Sequence, residues 1–232
     1  IKWLRADGNL KWLDVGCGNG AFSGLITTSC FPSQVDAIDP SAEQIDFARS
    51  RSDAANVNFR VGDAMSLGLD DNDFDIAVMA LVIFFVPDPP KGLSEMVRVV
   101  KRGGLVTSYT WDTINKGSPS SLITGHLTEM GFKPDAPPNP QVSEMSALNK
   151  LWSSGGLVDL RSDVITVERR FKDIDEYWKI ASLFPNIQKI VPVLTPDQIS
   201  DLKIRIEQDL AMGDDGFLYQ TARANAIVGS VV

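Results

Sequence analysis

The stretch KWLDVGCGNGAF, residues 11–22, decides the fold of this 232-residue chain. The run KWLDV predicts a buried strand, and the glycine-rich turn that follows leads into a predicted helix. Gly16 and Gly18 allow turn conformations and a close backbone approach that a side chain would block, and the first turn of the helix presents free amide groups. Asp14 stands just before the turn, where its carboxylate can meet a cation. The stretch therefore predicts a cradle for a cofactor.

The turn by itself leaves the kind of cofactor open. Gly16, Gly18 and Ala21 satisfy the pattern G-x-G-x-x-G/A, which is typical of folds that bind dinucleotides such as NAD. An NAD-dependent oxidoreductase is therefore one hypothesis, and the other polar residues of the chain have to decide between it and a different adenosine cofactor.

Composition and charge narrow the class of protein. The chain has 30 acidic and 22 basic residues and a net charge of −8, without a long basic run, so nucleic acid and anionic membrane surfaces are disfavoured as partners. No apolar run reaches the roughly 18 to 20 residues of a membrane-spanning helix, and the start of the chain lacks the apolar core of a signal peptide. We expect no membrane span and a cytoplasmic protein. The oligomeric state is left open.

Cysteine and histidine usage argues against metal chemistry. Cys17 lies in the glycine turn and Cys30 follows a predicted helix, and His126 is the single histidine. These residues form neither a disulfide framework nor a zinc site, so we expect no metal.

Hydrophobic periodicity predicts strands that alternate with helices and therefore a doubly wound, mostly parallel α/β sheet. The predicted strands are residues 10–15, 34–38, 57–61, 74–81, 105–109 and 160–170, with a seventh within 216–228. The predicted helices are residues 21–28, 92–100, 121–130, 143–153, 174–184 and 196–212. A further helix is predicted after a Ser41 cap, with Ile45, Phe47 and Ala48 among its apolar positions. Residues 101–104 are predicted to stop the helix at 92–100.

The last two predicted helices form an insertion between strands six and seven. An insertion over the carboxyl edge of such a sheet favours a lid. We expect one domain over residues 1–232, with a core at about 10–112, 157–172 and 214–230 and helical lid elements at about 113–156 and 173–213.

Three carboxylates favour an adenosine cofactor that carries an ammonium. Asp39 ends the second predicted strand, 19 residues after Gly20, where it can accept from both ribose hydroxyls. Asp63 can accept from the amine of an adenine while the Ala64 amide donates to a ring nitrogen. Asp14 would repel a pyrophosphate but attract an α-amino group, directly or through water.

In order and spacing, residues 12–112 resemble the class I S-adenosylmethionine-dependent methyltransferases, specifically the branch of the ubiquinone and menaquinone C-methyltransferases. The stretches that carry the resemblance are LDVGCGNGAF, DAIDPSAEQIDFAR, VGDA and DFDIAVMALVIFFVPDPPKGLSEMVRVVKRGG. The resemblance implies a Rossmann-like, seven-stranded sheet with an antiparallel last strand, and S-adenosylmethionine as the cofactor.

Carried over position by position, the resemblance also implies the cofactor contacts. They are Asp14, Gly16, Cys17 and Gly18 around the methionine part, Asp39 and Pro40 at the ribose and the adenine face, Gln44 on the ribose side, Asp63 and Ala64 at the adenine edge, and Ala80 and Leu81 on the sulfonium side.

The chain departs from this family at two places. Many relatives have a polar or histidine pair where Phe84 and Phe85 stand, so these rings either pack under the next helix or form the wall of a hydrophobic substrate pocket. Only about 11 residues precede the first strand, whereas relatives usually carry an N-terminal helical segment that covers cofactor and substrate. That segment is either missing from this chain or not needed.

Methyl transfer needs a general base only if the acceptor must lose a proton. The candidates are His126, although a lone histidine more often has a structural role, and the better placed Tyr109 and Trp111, with Asp112, at the end of strand five.

The acceptor is predicted from aromatic side chains. Phe84, Phe85 and Trp111, with the set Trp152, Tyr177, Trp178 and Phe184, suggest a pocket for a small, partly apolar or aromatic acceptor, the alternative being a core of large rings. The leading hypothesis is thus an S-adenosylmethionine-dependent methyltransferase. The alternatives are an NAD-dependent oxidoreductase and a non-catalytic, cofactor-binding subunit.

Overall fold

A computed structural model describes residues 2–4 and 6–232. Within them, the strands are β1 (Lys11–Val15), β2 (Gln34–Asp39), β3 (Val57–Val61), β4 (Phe74–Ala80), β5 (Val100–Trp111), β6 (Val158–Phe171), β7 (Ala211–Met212) and β8 (Leu218–Ser230). The α-helices are α1 (Ala21–Cys30), α2 (Ala42–Arg49), α3 (Pro89–Val99), α4 (Ser121–Glu129), α5 (Met145–Ser154), α6 (Ile174–Ala181) and α7 (Pro196–Asp209).

The strands form one sheet in the order β3-β2-β1-β4-β5-β8-β6, and the short β7 pairs with β8. The pairs from β3 to β5 are parallel. Bonds from the Gly103 amide to the Val231 carbonyl and from the Asp112 amide to the Arg223 carbonyl show that β8 runs antiparallel to β5. The predicted fold class is confirmed, and β7 is one strand more than the seven expected.

The order of the strands reverses at β1, which pairs with β2 on one side and β4 on the other. Chain segments leave the carboxyl ends of these strands in opposite directions, and the crevice between them is where sheets of this class bind ligands. β4 lies next to β1 because its apolar run is buried along nearly its whole length, as a central parallel strand requires.

The prediction that the Gly103 and Gly104 pair separates a helix from strand five is wrong, because both glycines lie within β5. The pairing of β4 with β5 shifts register between Phe74 and Ile76, which pair with Val100 and Leu105. The extra residues form a bulge in which Gly103 has φ +76°. A glycine pair after a helix is ordinarily a stop signal, and only the neighbouring strand turns it into a bulge.

Two further predictions fail locally. The helix expected to reach residue 212 ends at Asp209, because the next residues pair with β8 as β7. Phe47 is 57% exposed, whereas Ile45 and Ala48 are buried as predicted for the inner face of α2. The Ser41 cap of that helix is confirmed, since its side chain accepts a bond from the Gln44 amide.

The chain divides into two compact units. The first comprises the described residues up to Thr110, with Gln141–Asp163 and Asn225–Val232. Its core includes the fully buried Trp152 of α5, whose indole Nε1 donates to the Val106 carbonyl at 3.0 Å.

The second unit comprises Trp111–Pro140 and Val164–Ala224. Its core joins α4, α6 and α7 through buried side chains that include Leu127, Tyr177 and Ile206. The lid role expected of residues 113–156 and 173–213 stays a prediction.

None of the helices that the structure describes is long and apolar enough to cross a membrane.

Candidate functional site

A cavity of about 690 Å³ opens in the first unit at the carboxyl ends of β1, β2 and β4. This volume is in the range of small-molecule sites. The predicted site residues that line it are Gly16, Cys17, Gly18, Asp39, Pro40, Asp63, Ala64, Ala80, Leu81, Phe85 and Tyr109. Four separate turns of the sequence therefore converge on one site.

The glycine turn is fixed by hydrogen bonds and by crowding on one side. The amides of Gly16 and Cys17 donate to the Ile38 carbonyl at 2.7 and 3.0 Å, which ties the turn to β2. A Cβ on Gly16, whose φ is +78°, would lie 2.5 Å from Cγ1 of Val82, so only glycine fits there. Gly18 has φ +51° and open space where its Cβ would be.

Asp39 connects the glycine turn to α2. Its Oδ2 accepts from the Gly18 amide at 2.8 Å, and its Oδ1 accepts from the Ser41 amide at 2.9 Å. Each carboxylate oxygen has capacity for a further hydrogen bond, which is what two ribose hydroxyls require.

Asp14 lies beneath the turn with no exposed surface and does not itself line the cavity. The Ser23 hydroxyl donates to its Oδ2 at 2.6 Å, while its Oδ1 has no hydrogen-bond partner among the described residues. Burial raises the pKa of Asp14 to about 7; the bond from Ser23 opposes this rise and the charge of Asp39 adds to it. Because Asp14 does not line the cavity, its unused oxygen can act on a cationic ligand group through its charge or through a bridging water.

Asp63 shapes the turn after β3. Its Oδ1 accepts from the Met65 amide at 2.8 Å, and its carbonyl accepts from the Ser66 amide at 3.0 Å. The carboxylate is thus held at the cavity wall next to the Ala64 backbone, the pair predicted to meet an adenine edge.

Glu95 and Arg98 of α3 anchor the segment that carries this turn, and the sequence analysis missed them. Glu95 accepts from the Leu67 amide and from the Arg98 guanidinium at 2.8 to 2.9 Å, and Arg98 donates to the Leu69 carbonyl at 2.7 Å. The Arg98 bond lowers the pKa of Glu95 to about 2. The i,i+3 spacing of Glu95 and Arg98 was a signal for a pair but not for the distant backbone they hold.

The remaining wall is apolar. Leu81 has a left-handed backbone with φ +63°, and its amide donates to the Tyr109 carbonyl at 2.8 Å. Such a conformation in a leucine is strained and is characteristic of functional sites. The ring of Phe22 packs on Tyr109 with centroids 5.6 Å apart. Phe22, Leu25 and Val82 were missed as site residues.

Two titratable side chains of the wall stay protonated at neutral pH. Burial, assisted by the charge of Asp14, raises the pKa of the Tyr109 hydroxyl and of the Cys17 thiol well above their ordinary values. Neither group is therefore a ready base or nucleophile, although the Tyr109 hydroxyl can donate a hydrogen bond.

Some predicted site residues lie elsewhere. Phe84 is buried and packs on Phe85, with ring centroids 4.5 Å apart, and only Phe85 lines the cavity. Gln44 is exposed on α2 and does not line the cavity. Trp111, at the end of β5, belongs to the second unit.

His126 also belongs to the second unit, where it lines a different cavity of about 400 Å³. Its Nε2 lies 2.9 Å from Asp209 Oδ2, and its Nδ1 lies 3.4 Å from Glu129 Oε2. The contact with Asp209 joins α4 to α7, whereas Glu129 belongs to α4 itself, and both contacts agree with a structural role.

The model of a sequence family described as "Methyltransferase domain" matches residues 13–107. A demethylmenaquinone methyltransferase of Desulfitobacterium hafniense is 32% identical over 113 residues, which cover 47% of this chain and 45% of that protein. The chain spans less than half the length of the curated relatives it matches. The predicted resemblance to class I methyltransferases of the quinone branch is confirmed over this segment.

Solved structures extend the likeness in fold to the whole chain. The YcgJ protein of Bacillus subtilis matches with a TM-score of 0.66 at 17% identity, and the match covers 99% of this chain and 94% of the YcgJ chain. A second match is phosphoethanolamine N-methyltransferase 2 of Haemonchus contortus, solved with S-adenosyl-L-methionine. Its TM-score is 0.58 at 16% identity, and the match covers 97% of this chain and 49% of the other chain.

Proposed function

We propose that this chain, whose residues 13–107 match the model of a methyltransferase domain, transfers a methyl group from S-adenosylmethionine to a small, partly apolar or aromatic molecule. The observation that carries the proposal is Asp14. Asp14 lies beneath the glycine turn, ionises near neutrality and has one unused oxygen, so its charge suits the ammonium of an amino acid moiety bound above it, directly or through a bridging water.

The other residues fit the same cofactor. The turn at Gly16 and Gly18 leaves room for a close backbone approach, and Asp39 has acceptor capacity for ribose hydroxyls. Asp63 and the Ala64 backbone stand at the wall in the arrangement expected at an adenine edge. When bound, the cofactor supplies a methyl group on a sulfonium, which is displaced in line by the acceptor.

The protein contributes alignment and the exclusion of water. The wall formed by Phe22, Leu81 and Phe85 is apolar, so it keeps water from competing with the acceptor. The Tyr109 hydroxyl remains protonated and can orient an acceptor by donating a hydrogen bond. The wall as described has no histidine and no lysine, so an acceptor that keeps or readily loses its proton is favoured.

The cavity is less suited to a dinucleotide. Asp39 and Asp63 line it, Asp14 lies beneath it, and no lysine or arginine is among its described lining residues. A pyrophosphate would therefore meet negative charge that only the helix N-terminus offsets. The family of residues 13–107 also argues against the NAD-dependent oxidoreductase.

Calorimetry of the folded chain with S-adenosylhomocysteine tests cofactor binding, with NADH titrated in parallel. We expect binding of S-adenosylhomocysteine and none of NADH. The reverse result, or a folded chain that binds neither, contradicts the proposal.

A panel of phenols, quinols and small amines then tests the class of the methyl acceptor, with release of S-adenosylhomocysteine as the measurement. Release with hydrophilic amines alone would contradict the proposal of an apolar or aromatic acceptor. Binding without any release would favour the non-catalytic subunit.

A further inference from the structure

The second unit contains a small cavity that the proposed methyl transfer does not use. It has a volume of about 210 Å³ and lies among α6, β6 and β8. Its apolar lining includes Phe171, Ile180, Ala181, Phe184 and Ala222. Apolar protein cavities of about 150 Å³ bind benzene, so this one is large enough for a substituted ring.

One polar group is buried in this apolar lining. Tyr177 is 1% exposed, and its hydroxyl has no hydrogen-bond partner among the described residues. Its ring packs edge-on against Phe171, with centroids 5.1 Å apart, so the side chain is fixed in place. Buried tyrosine hydroxyls ordinarily find a partner, and phenylalanine would serve if packing were the only role.

The side chain of Gln220 is close enough to the Tyr177 hydroxyl to oppose the rise in its pKa as a hydrogen-bonding neighbour, but no hydrogen bond of good geometry joins the two groups. Gln220 also lines the cavity, but its Nε2 donates to the Pro119 carbonyl at 2.9 Å. Burial raises the pKa of Tyr177 to about 12, a rise that Gln220 opposes, so the hydroxyl is protonated at neutral pH and can donate. A single water would be poorly held, because a buried water needs two to four polar partners and most of the lining is apolar.

From this geometry we infer that the cavity binds one neutral ring that carries an oxygen, and that the Tyr177 hydroxyl recognises that oxygen. The buried part of the lining is uncharged, which disfavours an ionic ligand there. Glu168 and Arg169 are exposed members of the lining with opposite charges, so solvent screens both charges, and the Arg169 guanidinium lies 5.5 Å from the centroid of the Phe171 ring. The phenol class matches the size, the apolar wall and the single polar contact together. This inference does not depend on methyl transfer.

Para-cresol and toluene are matched probes, because they differ in one hydroxyl. Both are titrated into the full chain and followed by calorimetry or ligand-observed NMR. We expect para-cresol to bind more tightly than toluene. In Tyr177→Phe we expect para-cresol to lose about tenfold in affinity while toluene is unaffected, since only the phenol loses a hydrogen bond.

Tyr219→Phe is the matched control, because it removes a hydroxyl that bonds to Asp215 at 2.7 Å outside this cavity. It should leave both affinities unchanged. Ala222→Leu should fill part of the cavity and weaken both probes. If Ala222→Leu does not fold, the two tyrosine variants still decide the question.

The inference is overturned if para-cresol does not bind the folded chain or binds Tyr177→Phe as tightly as the native protein. Calorimetry of the same sample with S-adenosylhomocysteine separates this result from the proposed function. If the chain binds S-adenosylhomocysteine but not para-cresol, only the inferred phenol site is contradicted. If it binds para-cresol but not S-adenosylhomocysteine, only the proposed cofactor site is contradicted.

Discussion

Asp14 is an ionisable carboxyl with no exposed surface. In the free protein its ionised form is therefore disfavoured, because a buried charge loses its hydration. The Ser23 hydroxyl satisfies one carboxylate oxygen and leaves the other without a partner. The charge of a ligand ammonium bound in the cavity above Asp14 would stabilise the ionised form, directly or through a bridging water, so binding and ionisation of this carboxyl are linked.

The first prediction is that affinity for S-adenosylhomocysteine depends on pH through Asp14. Its pKa of about 7 means that the carboxyl is mostly neutral at pH 6 and ionised at pH 8. Affinity should therefore rise about tenfold between these values and then level off. Calorimetry at both pH values tests this prediction. Asp14→Asn should bind weakly with no such rise, whereas Asp46→Asn, an exposed carboxylate of α2, should retain it. An equal rise in Asp14→Asn would show that another group titrates.

The second prediction concerns Asp39. Asp39→Asn keeps the size of the side chain but replaces one acceptor with a donor, which opposes the Gly18 or the Ser41 amide. We expect a loss of about 1–3 kcal/mol in affinity for S-adenosylhomocysteine, the usual result of leaving buried hydrogen-bonding groups unpaired. Calorimetry against the same Asp46→Asn control measures it. Unchanged affinity would mean that Asp39 is not a ribose ligand.

At the scale of elements, the turn between β1 and α1 has two glycines with different surroundings. Gly16 faces Val82, while the position of a Cβ on Gly18 is open. Both have a positive φ, so both substitutions carry some backbone strain. Only one of them adds a steric clash within the protein itself.

The third prediction follows from this difference. Gly16→Ala should lower the free energy of unfolding by about 2–4 kcal/mol, because the new Cβ would lie 2.5 Å from Val82 Cγ1. Gly18→Ala should lower it by only about 1–2 kcal/mol, the strain of an alanine in the left-handed region. Its methyl group would point into open space beside the cavity, so it should weaken S-adenosylhomocysteine binding more than it weakens folding. Urea unfolding and calorimetry of both variants measure the two effects. Equal losses of stability in the two variants would contradict a steric clash that is specific to position 16.

At the scale of the molecule, distant segments are joined by a few buried polar contacts. Glu95 of α3 holds the backbone that follows β3, which carries Asp63 at the cavity wall. The fold of the first unit and the shape of its site therefore depend on the same ionised carboxylate. The second unit has its own apolar core around α4, α6 and α7.

The fourth prediction is a loss of stability in acid that depends on Glu95. Its pKa of about 2 in the folded protein lies below its ordinary value, so its stabilisation is present above about pH 4.5 and is lost as the pH falls towards 2. Glu95→Gln should cost about 2–3 kcal/mol at pH 7 and much less near pH 2. Urea unfolding at several pH values measures the difference, with the exposed Glu43→Gln as the control. A difference that stays constant with pH would contradict this linkage.

The amino-acid sequence by itself determined the parallel part of the sheet and many of the residues that line the cavity of the first unit. Apolar runs and glycine turns are local signals, and the ends of successive parallel strands meet at one edge, so Gly16, Asp39 and Asp63 could be placed together without coordinates. Local periodicity also placed β3 at its observed bounds.

Only the tertiary structure decided what depends on residues distant in the chain. The bulge at Gly103 arises from pairing with β4, and β7 arises from pairing with β8. The unused oxygen of Asp14, the contact of Gly16 with Val82 and the unpaired hydroxyl of Tyr177 are likewise set by neighbours in space. Hydrogen-bond satisfaction and steric fit are properties of the packed chain, so no local pattern of residue types could have predicted them.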